Sequence, residues 1–122
     1  MPDTPPTPRS QGRSQTQAHG QTQGYSFRAF QRLIRDRYFA TDNARGTAGT
    51  FLYLTEEFGE LATALAANNR AKTPPTEAER ENLVEEFADV LAWLATLANI
   101  NGVDFEDALR KYTEGGVEGV KE

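Results

Sequence analysis

Apolar residues recur at helical spacing along most of this chain, and two acid-rich words interrupt that pattern: Glu56-Glu57-Phe58-Gly59-Glu60 and Glu85-Glu86-Phe87-Ala88-Asp89. On a helix, residues three or four apart are neighbours, and like charges so placed repel by about 0.2–0.5 kcal/mol per pair. Glu56/Glu60, Glu57/Glu60, Glu85/Asp89 and Glu86/Asp89 are all such pairs. No Lys or Arg stands three or four residues from any of these six acids. A solvated surface helix interleaves the two signs; this chain instead concentrates one sign in the middle of its best helical segments. Hard divalent cations prefer carboxylate oxygens, so the pattern points to a metal site made by two facing helices. The alternative is ordinary solvated glutamates on an acidic protein, since Glu is a good helix former.

Four helical segments are expected. Ser26 can cap the first, with Phe27, Phe30, Leu33, Ile34 and Tyr38 at helical spacing. Thr41-Asp42-Asn43-Ala44-Arg45-Gly46-Thr47 should break it. A second segment runs from about Ala48 to Asn69, with Phe51, Leu54, Phe58, Leu61, Ala62 and Leu65 on one face. Thr73-Pro74-Pro75 ends the connection, and Thr76-x-x-Glu79 has the form of a capping box. The third segment, to about Leu97, should bury Leu83, Phe87, Val90, Leu91, Leu94 and Ala98. Asn101-Gly102 turns the chain, and Asp104 caps a short fourth helix carrying Phe105, Leu109 and Tyr112. No alternating strand pattern occurs, so the fold class is all-α: an antiparallel helical bundle of about four helices.

Composition divides the 122 residues unevenly. Residues 1–24 hold no Leu, Ile, Val, Phe, Trp or Tyr and are dense in Pro, Thr, Gln, Ser and Gly. Such a segment cannot bury enough apolar surface to offset its ordering entropy, so a disordered N-terminal tail is expected there, without the apolar stretch of a signal peptide. The helical domain is expected over residues 25–114 and a flexible end over 115–122, rich in Gly. A domain this small often completes its burial by oligomerising.

Net charge is −5; Asp3, Arg9 and Arg13 give the tail +1, so the rest carries −6. That balance argues against nucleic acid as a partner, because phosphate neutralisation needs a basic face. The absence of cysteine excludes disulfides and thiolate metal sites. The single histidine, His19, lies in the tail, which makes His-based catalysis improbable. No apolar run of membrane-spanning length occurs, so a cytoplasmic protein is the expectation.

Angular positions at about 100° per residue locate the acids. Glu86 and Asp89 flank the apolar face of the third segment, with Trp93 one turn beyond Asp89. Glu57 lies beside Leu61 at the edge of the second segment's face, with Glu60 further round next to Ala64. A short connection makes these two segments antiparallel, so Glu57, Glu60, Glu86 and Asp89 should converge. Four negative charges at one place raise each other's pKa unless cations fill the gap; Mg²⁺ or Mn²⁺ would suit.

Glu56-Glu57-x-x-Glu60 followed by Glu86-x-x-Asp89 resembles the paired motif of the MazG-like, all-α nucleoside triphosphate pyrophosphohydrolases. The surrounding words add to the resemblance: Leu54-Thr55-Glu56-Glu57-Phe58-Gly59-Glu60-Leu61, Phe87-Ala88-Asp89-Val90-Leu91-Ala92-Trp93-Leu94, and Gly102-Val103-Asp104 with Ala108-Leu109 and Lys111-Tyr112. The resemblance implies hydrolysis of an NTP or dNTP to NMP and pyrophosphate with Mg²⁺, in a homodimer or a dimer of dimers. It makes Glu57, Glu60, Glu86 and Asp89 metal ligands and Glu56 a candidate general base. The chain departs from some relatives in lacking an Asn/Arg-rich ending after Tyr112 and C-terminal cysteines. Phosphoribosyl-ATP pyrophosphohydrolase is a related alternative, and a non-catalytic helical metal-binding or interaction module is the rival from another class.

Other substrate-binding candidates rest on residue type. Trp93 could stack on a base or belong to the core. Arg35, Arg37 and Arg45 are clustered cations near the second segment that could meet phosphates, and Lys111 is another; each is equally an ordinary surface cation. Gly46 and Gly59 carry no phosphate-loop pattern, and Gly59 is expected to permit close helix packing.

Overall fold

Each helix begins where the sequence supplies an oxygen to otherwise unbonded N–H groups. Ser26 Oγ accepts from Ala29 N at 3.0 Å and starts α1, Phe27–Asn68. Thr76 Oγ1 accepts from Glu79 N at 3.1 Å while Glu79 Oε1 accepts from Thr76 N at 2.9 Å. This reciprocal box starts α2, Glu77–Ile100. Asp104 Oδ1 accepts from Glu106 N at 2.7 Å and starts α3, Phe105–Thr113. The computed structural model describes residues 24–114; the expectations for the tail up to residue 23 and for 115–122 lie outside the described residues. No strand occurs among the described residues, and none of their helices is long and apolar enough to cross a membrane.

The turn after α2 follows from Gly102. Its φ of 67° lies in the left-handed region, which lets Gly102 N donate to Asn99 O at 3.3 Å and Val103 N donate to Ala98 O at 2.9 Å. These two bonds form the Schellman ending that glycine favours.

The expected first break is narrower than the sequence suggests. Thr41–Thr47 stays helical except at Gly46, with φ 82° and ψ 178°, so α1 is two helical segments meeting at a one-residue kink rather than two helices separated by a loop. That conformation is open almost only to glycine, and it bends α1 at one residue. Thr41, Asp42 and Asn43 are weak helix formers, but tertiary contacts override propensity: Asp42 is buried and bonded from both sides.

Beyond the bend, α1 runs antiparallel to α2. Asn101 meets Thr47, Trp93 meets Glu57, and Asn68 meets Glu79, so rising numbers pair with falling ones. Between the two helices, the small side chains Thr50, Ala64, Ala92, Ala95 and Thr96 are buried together with Leu54, Leu83 and Trp93. Ile34 and Tyr38 pack with Ala92 and Ala95, joined by Phe30 and Phe105. Phe87, Leu91 and Leu94, expected to be buried, are instead exposed, and so are Phe51 and Phe58 from the second segment's apolar face. Helical periodicity marks an apolar face without saying which neighbour covers it.

The short α3 is latched to α1 by Gln31. Its Nε2 donates to Val103 O at 2.6 Å, and its Oε1 accepts from Phe105 N at 2.8 Å. Phe27 and Phe105 meet edge to face at 5.9 Å, and Arg28 pairs with Asp104 and Glu106.

Candidate metal centre

The antiparallel seam brings the two acidic words together. Glu57 and Glu60 lie one turn apart on α1, facing Glu86 and Asp89 one turn apart on α2. Single carboxylate oxygens of Glu57, Glu60 and Glu86 all lie within 4.8 Å of one another. Glu86 and Asp89 are 5% and 4% exposed, Glu57 is half-buried and Glu60 is open to solvent. The cluster is thus closed on the α2 side and open past Glu60.

Electrostatics show how tightly the charges are held. Burial pushes the Glu57 carboxyl up to about 7, helped by repulsion from Asp89, Glu60 and Glu86 and opposed by a hydrogen bond from Trp93. Asp89 therefore belongs to the cluster electrically. Trp93 Nε1 donates to Glu57 Oε2 at 3.2 Å. Glu57 Oε1 is buried and has no hydrogen-bond donor. An uncommitted buried carboxylate oxygen beside two other glutamate oxygens fits a hard divalent cation, whose ligands are oxygens of this kind.

Glu56 stands about 100° round the helix from Glu57. It is exposed and lines a cleft of about 390 Å³ with Arg45, Gly49, Leu52 and Tyr53. Trp93 is 3% exposed and stacks on Tyr53, with ring centres 5.0 Å apart; the protein itself covers the indole. Arg45 is brought to the rim of the site but enclosed, its side chain 6% exposed and paired with Asp42 at 3.1 Å. Arg35 lies over Phe39 at 4.0 Å and lines a different cleft with Asn99. Asn99 is about 15 Å along α2 from Asp89, at 1.5 Å rise per residue. Arg35 therefore sits apart from the acids. Lys111 lies on α3 over Tyr112 at 5.5 Å.

Gly59 does not serve close packing, since a Cβ there would meet nothing within 4 Å. Gly49 does make room: a Cβ there would lie 2.8 Å from Arg45 Cγ. Sequence reasoning missed Asp42, Thr50, Tyr53 and Thr96 around Arg45. The available signal is the opposite-charge pair at i,i+3, Asp42 and Arg45.

Facing helices that gather carboxylates beside an uncommitted buried oxygen define an all-helical protein with a candidate divalent-cation centre. Residues 45–115, more than half of the chain, match the family described as MazG nucleotide pyrophosphohydrolase domain. The chain belongs to that family, whose members are hydrolases acting on nucleotides. It is also 37% identical over 68 residues to the uncharacterized protein YvdC of Bacillus subtilis (strain 168). That similarity covers 51% of this chain and 64% of YvdC, less than two thirds of the relative's length.

Proposed function

We propose that this chain is a Mg²⁺-dependent pyrophosphohydrolase that converts a nucleoside or deoxynucleoside triphosphate to the monophosphate and pyrophosphate, clearing unwanted nucleotides in the cytoplasm. The observation that carries the reading is the meeting of Glu57, Glu60 and Glu86 oxygens within 4.8 Å, with Glu57 Oε1 buried and uncommitted. Glu57, Glu60, Glu86 and Asp89 would hold the ion. Bound Mg²⁺ or Mn²⁺ would screen the phosphate charge and make a neighbouring water a better nucleophile toward the α-phosphorus.

The protein's own groups supply the rest. Trp93 orients the Glu57 carboxylate, and the Glu60 side of the cluster is open to an incoming phosphate chain. Glu56, at the rim of the adjoining cleft, is the candidate to take a proton from water. The exposed stripe of Phe51, Phe58, Phe87, Leu91 and Leu94 supports a homodimer or a dimer of dimers, because apolar patches of this kind mark interfaces. A monomer mass by light scattering at micromolar concentration would remove that part of the reading.

A panel of NTPs and dNTPs with Mg²⁺ tests the reaction, with pyrophosphate and inorganic phosphate measured separately. NMP and pyrophosphate are the expected products. NDP and inorganic phosphate as the main products would overturn the reading.

A further inference from the structure

Burying an ion pair is costly. Each charge gives up its hydration, and the attraction regained offsets that only with good geometry and additional hydrogen bonds. The chain buries such a pair in Asp42 and Arg45, with side chains 1% and 6% exposed. Asp42 Oδ1 accepts from Arg45 Nη2 at 3.1 Å, Asp42 Oδ2 accepts from Thr96 Oγ1 at 3.0 Å, and Arg45 Nη1 donates to Thr50 Oγ1 at 3.2 Å. Burial raises the Asp42 carboxyl above its ordinary value, while Thr96 and Arg45 oppose the rise. Well-packed apolar residues of similar volume are often as stable or more so. Stability alone therefore does not account for the pair.

The pair holds an aromatic stack in place. The guanidinium carbon of Arg45 lies 5.0 Å from the Trp93 ring centre and 5.5 Å from that of Tyr53. The two rings are 5.0 Å apart and within 15° of parallel. A cation over aromatic faces is attracted by their quadrupoles, so the three groups brace one another as a nearly equilateral triangle. Gly49 leaves the space through which the Arg45 side chain reaches them, since a Cβ there would lie 2.8 Å from Arg45 Cγ. Trp93 then turns its one polar atom to Glu57 Oε2, leaving Oε1 uncommitted.

We infer that the Asp42–Arg45 pair, seated on Thr50 and Thr96, is a positioning device for the metal centre: it holds the Tyr53–Trp93 stack and, through the indole N–H, the Glu57 carboxylate. The inference rests on the metal centre of the proposed function. Asp42 precedes the segment matched by the family, so the device ties the N-terminal half of α1 to the acids.

Mn²⁺ affinity, measured by calorimetry or electron paramagnetic resonance without nucleotide, tests this on Arg45→Met, Trp93→Phe and the double variant, with circular dichroism reporting the folded fraction. Each single variant should bind Mn²⁺ at least tenfold more weakly than the parent. The double variant should lose no more than the worse single one, because Arg45 acts through Trp93 and interacting sites are not additive. Parental affinity in Arg45→Met, or losses that multiply in the double variant, would overturn the inference. Removing one partner of a buried pair can unfold a domain, so Gly49→Ala provides a second arm by crowding the Arg45 side chain without deleting its charge. It should also weaken Mn²⁺ binding severalfold, and unchanged affinity there would equally count against the device. A parent that binds Mn²⁺ but hydrolyses no triphosphate would overturn the proposed reaction and leave this inference standing.

Discussion

Glu60→Gln removes one charge from the acidic cluster while nearly preserving side-chain size and helix propensity. In the parent, a Glu60 oxygen lies within 4.8 Å of oxygens of Glu57 and Glu86. Two unit charges at that separation repel by about 0.9 kcal/mol in bulk water and about 3.5 kcal/mol at an effective dielectric constant near 20. Glu60 is open to solvent, so the lower end governs, and relief from its two neighbours amounts to about 1–2 kcal/mol. The assay belongs at pH 8, above the value of about 7 to which Glu57 is raised, so that the charges are present. In EDTA the variant should melt above the parent, by about 4–8 °C for each kcal/mol in a domain of this size. With Mg²⁺ the order should reverse. An ion at 100 times its dissociation constant stabilises the parent by about 2.7 kcal/mol through mass action, and the variant, lacking a ligand, gains less. Turnover of the best nucleotide should fall by about a hundredfold or more, the scale on which a misplaced reacting group acts. The reasoning is refuted if the variant melts below the parent in EDTA, or if both gain equally from Mg²⁺.

Two further outcomes follow from single features. Glu57 is raised from 4.5 to about 7 by folding, so the folded state holds a proton that the unfolded chain has released. Its contribution is full below about pH 4.5 and is lost as pH rises through about 7; the upward shift of Asp42 acts in the same direction. In EDTA the melting temperature should therefore rise as pH falls from 8 to 5.5, and Glu57→Gln should flatten that slope; a parent whose stability increases with pH over this range would contradict the assignment. Gly46→Ala should cost about 1–3 kcal/mol in denaturant unfolding, from backbone strain alone, because a Cβ at that site would meet nothing within 4 Å. An unchanged midpoint would show that α1 does not need the bend.

Local chemistry was readable without any tertiary knowledge. Ser26, Thr76 with Glu79, and Asp104 cap helices because a side-chain oxygen two or three residues away satisfies a backbone N–H wherever the rest of the chain lies. Gly102 ends α2 by the same locality. The acidic words were legible because i,i+3 spacing fixes which carboxylates share a helix edge, and a short connection makes the next helix antiparallel, so their convergence could be argued before any coordinates. Phe87, Leu91 and Leu94, expected to be buried, are exposed, since a periodic apolar face carries no record of its neighbour.

The sequence by itself determined the helices, their caps and the two acidic edges, since each depends on atoms a few residues apart. Only the tertiary structure decided that α1 continues to Asn68 with a bend at Gly46, and that Asp42 and Arg45 are buried together beneath Thr96. It also decided that Trp93 spends its N–H on Glu57. Those outcomes depend on groups 36 and 54 positions apart, Glu57 with Trp93 and Asp42 with Thr96. The physical reason is that burying a polar group is favourable only where a distant partner arrives with matching geometry, and spacing along the chain does not contain that condition.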